Sequence, residues 1–178
     1  MNGLYELADR ARREKLPFLV VGGHAVILYH VPRFTRDIDL LIPESAATAW
    51  LEFLQKFRYR VYHQTEAFIQ LEPFEPGTLP PVDLMLVDAG TWAKLEAKAV
   101  EREAGGDLRL PVPHVWHLIA MKLAAAQSIQ RRKEASDWPD VLHLVRVCQI
   151  DLANPDFRSM VMQYGGKEAL RRLEKEAS

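Results

Sequence analysis

The chain has 178 residues, 48% hydrophobic and 26% charged, the composition of one ordinary folded domain or a small core with an appendage, which excludes a disordered or fibrous protein. Its 23 basic and 24 acidic residues leave a formal net charge of −1, so any polyanion site must be a local patch rather than a global attraction. The lone Cys148 excludes an internal disulfide and any multi-cysteine metal site. The N-terminus lacks a secretory apolar core, and no run approaches the roughly eighteen apolar residues of a membrane span, so a soluble cytoplasmic protein with no membrane partner is expected.

In chain order, Leu4, Leu7, Ala8 and Ala11 recur at helical spacing and predict a helix over 2–14. Pro17 opens the apolar run Phe18 to Val21, a strand, which ends at the turn Gly22-Gly23. A short helix is expected over His24 to His30, broken by Pro32, and a strand over Asp37 to Ile42, closed by Pro43. Glu44 to Phe57 reads as an amphipathic helix with Ser45 near its start; Tyr59 to His63 and Phe68 to Leu71 read as paired strands. After a proline-rich loop, Val82 to Val87 is another strand. Thr91 is expected to cap a helix reaching about Glu103, and Gly105-Gly106 to turn the chain into a short strand ending at Pro111. Everything from His114 onward is expected to be helical. The fold class is therefore α/β or α+β, with a mixed-sheet core over 1–112 and a helical region over 113–178 packed on it.

Residues two apart on a strand share a face, so Asp37 and Asp39 are expected to project together while Ile38 and Leu40 enter an apolar layer. Carboxylates held side by side repel, and a hard, oxygen-seeking cation such as Mg²⁺ is the usual remedy. Asp83, between Val82 and Leu84, repeats the pattern on another strand and is the candidate third member, as metal ligand or as acceptor of a hydroxyl proton. Taken alone, Asp-x-Asp is equally explained by Asp37 capping a turn and Asp83 sitting at a strand edge. The neighbours tip the balance. Gly22 and Gly23 stand between strand and helix, where missing side chains let backbone N–H groups approach phosphate. Arg33, Thr35 and Arg36 then place two guanidinium groups and a hydroxyl beside the carboxylates.

With these residues in place, the segments VVGGHAVILYHVPRFTRDIDLLI and PVDLML resemble the nucleotidyltransferase superfamily. More narrowly they resemble the toxin-type nucleotidyltransferases of bacterial abortive-infection toxin–antitoxin systems, over residues 16 to about 145. The resemblance implies a polymerase-β-like core, Mg²⁺ or Mn²⁺, a nucleoside triphosphate such as ATP as substrate, and transfer of a nucleotidyl group to an acceptor. It implies phosphate contact at Gly22 and Gly23 and metal binding at Asp37, Asp39 and Asp83. It also implies tRNA or another RNA as acceptor and a cognate antitoxin protein as partner. His24 and His114 depart from the family's pattern without touching the three aspartates.

In the helical part, Val115, Leu118, Ile119, Lys122 and Ala126 fall on one side of a helix, so Lys122 lies on an apolar face. A buried ammonium needs an acidic partner or a phosphate. Snorkelling of its tip into water is the plain structural alternative. Asp140, on the same side as Val141 and Leu144, is the expected partner, and the resemblance places Lys122 and Asp140 among the nucleotide-binding residues. The basic run Arg131-Arg132-Lys133 reads as a solvated loop or as an RNA contact. Asp137 or Ser136 is a candidate helix cap with Pro139 in the first turn. The histidines lack zinc-ligand spacing, no serine lies in a G-x-S-x-G context, and the tryptophans read as core.

Overall fold

The computed structural model describes residues 3–127 and 137–177, which form two compact units. The first comprises residues 1–28 and 33–113, the second residues 29–32 and 114–178. The first unit begins with α1 (Gly3–Arg13), whose Leu4, Leu7, Ala8 and Ala11 are all buried, as the periodicity predicts. β1 (Leu19–Val20) follows, then α2 (Gly22–Leu28), β2 (Ile38–Pro43), and a 3₁₀ turn (Glu44–Ala46) leading into α3 (Ala47–Lys56). β3 (Tyr59–Gln64), β4 (Phe68–Pro73), β5 (Val82–Val87), α4 (Ala89–Glu96), β6 (Val100–Gly105) and β7 (Leu108–Val112) complete it.

Five strands form a mixed sheet in the order β1-β2-β5-β4-β3, with β2 and β5 parallel and the other neighbours antiparallel. The two central strands are apolar on their buried face: Ile38, Leu40, Val82 and Leu84 are fully buried. Residues 44 to 81 connect the parallel pair and carry α3, β3 and β4. Trp50 anchors α3, its ring edge-on to Phe18 at 5.7 Å and to Phe53 at 5.4 Å, its indole N–H donating to the carbonyl of Pro17.

Three local expectations are corrected. The 44–57 helix has no side-chain cap at Ser45 and opens as a 3₁₀ turn after Pro43. α4 is capped by Asp88, not Thr91: the Asp88 carboxylate accepts from the N–H groups of Gly90 and Thr91 and from the Thr91 hydroxyl, satisfying donors that the first helical turn leaves open. That carboxyl is held below its ordinary range, chiefly by the Thr91 hydroxyl. The same helix stops at Glu96, and the segment expected to prolong it is β6, paired antiparallel with β7 around Gly105-Gly106. Glu101, Arg102, Glu103 and Ala104 suit a helix locally, but hairpin pairing overrides that weak preference.

The second unit holds α5 (Val115–Gln127), α6 (Asp137–Val147) and α7 (Pro155–Glu176). Asn154 caps α7, and at Gly166 the chain leaves helical geometry, so that α7 is two helical pieces joined at a kink. Trp138 is held by Arg172, whose guanidinium lies 4.1 Å from the ring centre, and by Glu176, which accepts its indole N–H. Arg131, Arg132, Lys133 and Ser136 lie outside the described residues.

Candidate active site

The centre of the sheet brings Asp39 and Asp83 together. They are register partners across the parallel pair β2 and β5, each flanked by fully buried residues, so both carboxylates rise from the face opposite the apolar one. Adjacent strands lie about 4.8 Å apart, which sets the scale of this approach. Asp37 sits one residue before β2, exposed, in a bend rather than in the strand. The start of β2 is pinned on both sides, by Ile38 N–H to the carbonyl of Pro81 at 2.9 Å and by Val21 N–H to the carbonyl of Asp39 at 3.0 Å.

The second of these bonds seats the glycine turn against the carboxylate. Gly22 has φ +58°, and a Cβ there would stand 1.9 Å from Oδ2 of Asp39. A Cβ on Gly23 would stand 2.6 Å from Oγ1 of Thr35 and 3.3 Å from Cζ of Arg33. The missing side chains therefore make room for Asp39, Thr35 and Arg33, gathering all five residues into one cluster. α2 starts at these glycines and not at His24 as the sequence suggested, since Ala25 N–H already reaches back to the carbonyl of Val21. His24 is buried behind the turn, and burial first, the Arg33 charge second, hold its imidazole below the ordinary value.

Along 33–37 the chain alternates: Arg33 and Thr35 are half-buried, whereas Phe34 and Arg36 are exposed. The Arg36 guanidinium lies 5.9 Å from the ring centre of Phe34. Lys122 and Asp140 belong to the second unit. Both are buried, and the Lys122 ammonium lies 2.8 Å from Asp137 and 2.9 Å from Asp140, so the lysine has two carboxylate partners rather than a snorkelling tip.

Two residues of this face were not singled out from the sequence. Gln70 on β4 is the register partner of Asp83, and its side-chain N–H donates to Oδ2 of Asp83 at 3.0 Å. Its signal was present, a polar residue alternating with buried Ile69 and Leu71, but nothing local says which strand it faces. Tyr62 lies where β3 shifts register between Val61 and His63. Partial desolvation, then the charges of Asp83, Asp37 and Glu72, hold its hydroxyl above the ordinary value, so Asp37 and Asp83 both lie within electrostatic reach of it.

Among the described residues no three His, Cys, Asp or Glu side chains gather into a metal cage. Mg²⁺ is usually held by one or two carboxylates, with waters and substrate phosphates completing the shell, and neighbouring hard oxygen donors such as Asp39 and Asp83 fit it. Among the described residues no helix is long and apolar enough to cross a membrane.

No protein-family model matches the chain, and no curated protein does either. Its fold is similar to that of the antibiotic-resistance factor ANT(2'')-Ia in solution, with a TM-score of 0.68 and 15% identity over 99% of this chain and 96% of that one. The crystal structure of ANT(2'')-Ia in complex with adenylyl-2''-tobramycin gives 0.64 and 15% over 88% and 95%. The lincosamide antibiotic adenylyltransferase LnuA, lincomycin-bound, gives 0.58 and 15% over 82% of this chain and 96% of that one. At such identities the likeness is one of fold: a mixed α/β core followed by helices.

Proposed function

We propose that the chain is a nucleotidyltransferase that binds a nucleoside triphosphate with Mg²⁺ or Mn²⁺ and transfers a nucleoside monophosphate to an acceptor hydroxyl. The observation that carries this reading is the in-register pair Asp39 and Asp83 with the side-chain-free Gly22 packed against Asp39, inside a fold shared with adenylyltransferases. Asp39 and Asp83 are assigned to the metal; Asp37, which the sequence resemblance adds to them, stands in an exposed bend just before β2. Gly22, Gly23, Arg33, Thr35 and Arg36 are assigned to the triphosphate, the glycines through backbone N–H groups and the arginines through charge. The sequence resemblance assigns Lys122 and Asp140 to the nucleotide as well; within their own unit the Lys122 ammonium pairs with Asp137 at 2.8 Å and Asp140 at 2.9 Å.

The acceptor hydroxyl attacks the α-phosphorus, the bond from that phosphorus to the bridging oxygen breaks, and pyrophosphate leaves with the electron pair. The Asp83 carboxylate is assigned to accept the hydroxyl proton. The metal, when bound, supplies charge neutralisation at the phosphates and at the attacking and leaving oxygens.

For the acceptor we favour RNA, particularly a tRNA end, and a toxin role opposed by an antitoxin, on the sequence resemblance. A second reading, an antibiotic or other small hydroxylated molecule, is favoured by the nature of the solved neighbours, one of them in complex with adenylyl-2''-tobramycin. Purified protein with labelled nucleoside triphosphates and Mg²⁺, given total RNA in one arm and aminoglycosides and lincosamides in the other, separates the two. Asp39→Ala is expected to abolish labelling in whichever arm is active, and labelling that survives it refutes the proposal. Metal-dependent nucleotide binding without product in either arm would instead indicate a nucleotide-binding module without turnover.

A further inference from the structure

The Asp83 carboxylate accepts a hydrogen bond from a neutral amide. Gln70 lies opposite it across the antiparallel pair β4 and β5, and its side-chain N–H donates to Oδ2 at 3.0 Å. The bond is not needed to pair the strands: the backbone ladder already runs from Phe68 opposite Met85 to Leu71 opposite Val82. Nor is the glutamine free to wander, because Ile69 and Leu71 on either side of it are anchored in the core at 1% exposure. The donor is therefore carried to the carboxylate by a strand anchored in the core, the kind of support that orients a functional group before its ligand arrives. Chemistry favours an amide here. A lysine or arginine in its place would compete with a cation for Asp83, whereas an amide N–H orients one oxygen and brings no positive charge of its own.

We propose that Gln70 is a positioning residue, which sets the orientation of the Asp83 carboxylate for the divalent cation and so tunes the site's metal affinity. This rests on the assignment of Asp39 and Asp83 to the metal made above. Loss of such supporting hydrogen bonds typically weakens metal binding by about 10- to 100-fold.

The test is a Mn²⁺ titration, followed by the electron paramagnetic resonance signal of free Mn²⁺, with a non-hydrolysable nucleoside triphosphate present. Gln70→Met keeps the length and removes the amide with its N–H donor; Gln70→Leu is a second route to the same loss should the first misfold. Asp39→Ala serves as the reference for a damaged site. Both Gln70 variants are expected to melt within about 5 °C of the parent protein, since one half-exposed hydrogen bond is lost, and to bind Mn²⁺ roughly tenfold or more weakly. A folded Gln70 variant that binds Mn²⁺ as the parent does, while Asp39→Ala does not, overturns this inference alone. A parent protein that binds Mn²⁺ no better than Asp39→Ala overturns the metal assignment and this inference with it.

Discussion

Replacing Gly22 by alanine tests the geometry on which the site depends. Two separable penalties follow from the structure. The first is conformational: at φ +58° an L side chain costs about 1–2 kcal/mol. The second is steric: the new Cβ would lie 1.9 Å from Oδ2, 2.4 Å from Cγ and 2.7 Å from Cβ of Asp39, and over-packing of this kind costs about 1–3 kcal/mol where the neighbour can partly yield. Gly77 supplies the control, because it too has positive φ, +81°, but a Cβ there meets nothing within 4 Å. Gly77→Ala should therefore lose only the conformational part, about 1–2 kcal/mol. Gly22→Ala should lose both, about 2–5 kcal/mol. Urea denaturation of the two variants beside the parent protein measures the difference directly, provided the slopes agree. The Asp39 carboxylate can escape the clash only by turning away, so metal-dependent nucleotide binding should fall in Gly22→Ala and be kept in Gly77→Ala. Equal stability losses in the two variants would refute the claim that Gly22 is glycine to admit Asp39.

Two further outcomes concern charge. Lys122→Met leaves Asp137 and Asp140, with side chains 13% and 6% exposed, facing one another without their cation. Removing one partner of a buried pair typically costs about 3–5 kcal/mol, part of which Asp140→Asn should restore; a loss below about 1 kcal/mol in urea denaturation would show the cluster to be solvated. His24 has its folded value lowered below 6.5 by burial and by Arg33, so below that pH the unfolded chain takes up a proton that the folded one resists. The His24 contribution is complete above pH 6.5 and is lost as the pH falls from there through the folded value. His24→Gln should flatten the stability profile in that window, and an unchanged profile there would contradict the burial argument.

Much of this architecture is legible from local rules. The alternation around Asp83 delimits Val82–Val87 as a strand without error, and the helical spacing of Leu4, Leu7, Ala8 and Ala11 names the buried face of α1. Lys122, awkward on an apolar helix face, calls for an acidic partner or a phosphate unless its tip snorkels, and Asp140, the partner expected, is one of the two carboxylates found. Each of these follows from side-chain direction or desolvation cost within a few residues of the chain. Where local signals compete, tertiary pairing decides. The stretch from Val100 to Gly105 has helix-favouring residues but is β6, because its partner β7 lies across the Gly105-Gly106 turn. Register is beyond local reading altogether. Nothing near Asp39 states that Asp83, rather than a residue one place along, will lie beside it, nor that Gln70 will reach the far side of Asp83. Shifting either strand by one residue would leave its composition untouched and turn the carboxylate into the core. The residue types therefore determine that acidic, glycine-rich and apolar segments must sort into a polar face over a buried layer. Only the packed sheet decides which carboxylates meet, and that the space a side chain on Gly22 would need is already filled by Asp39.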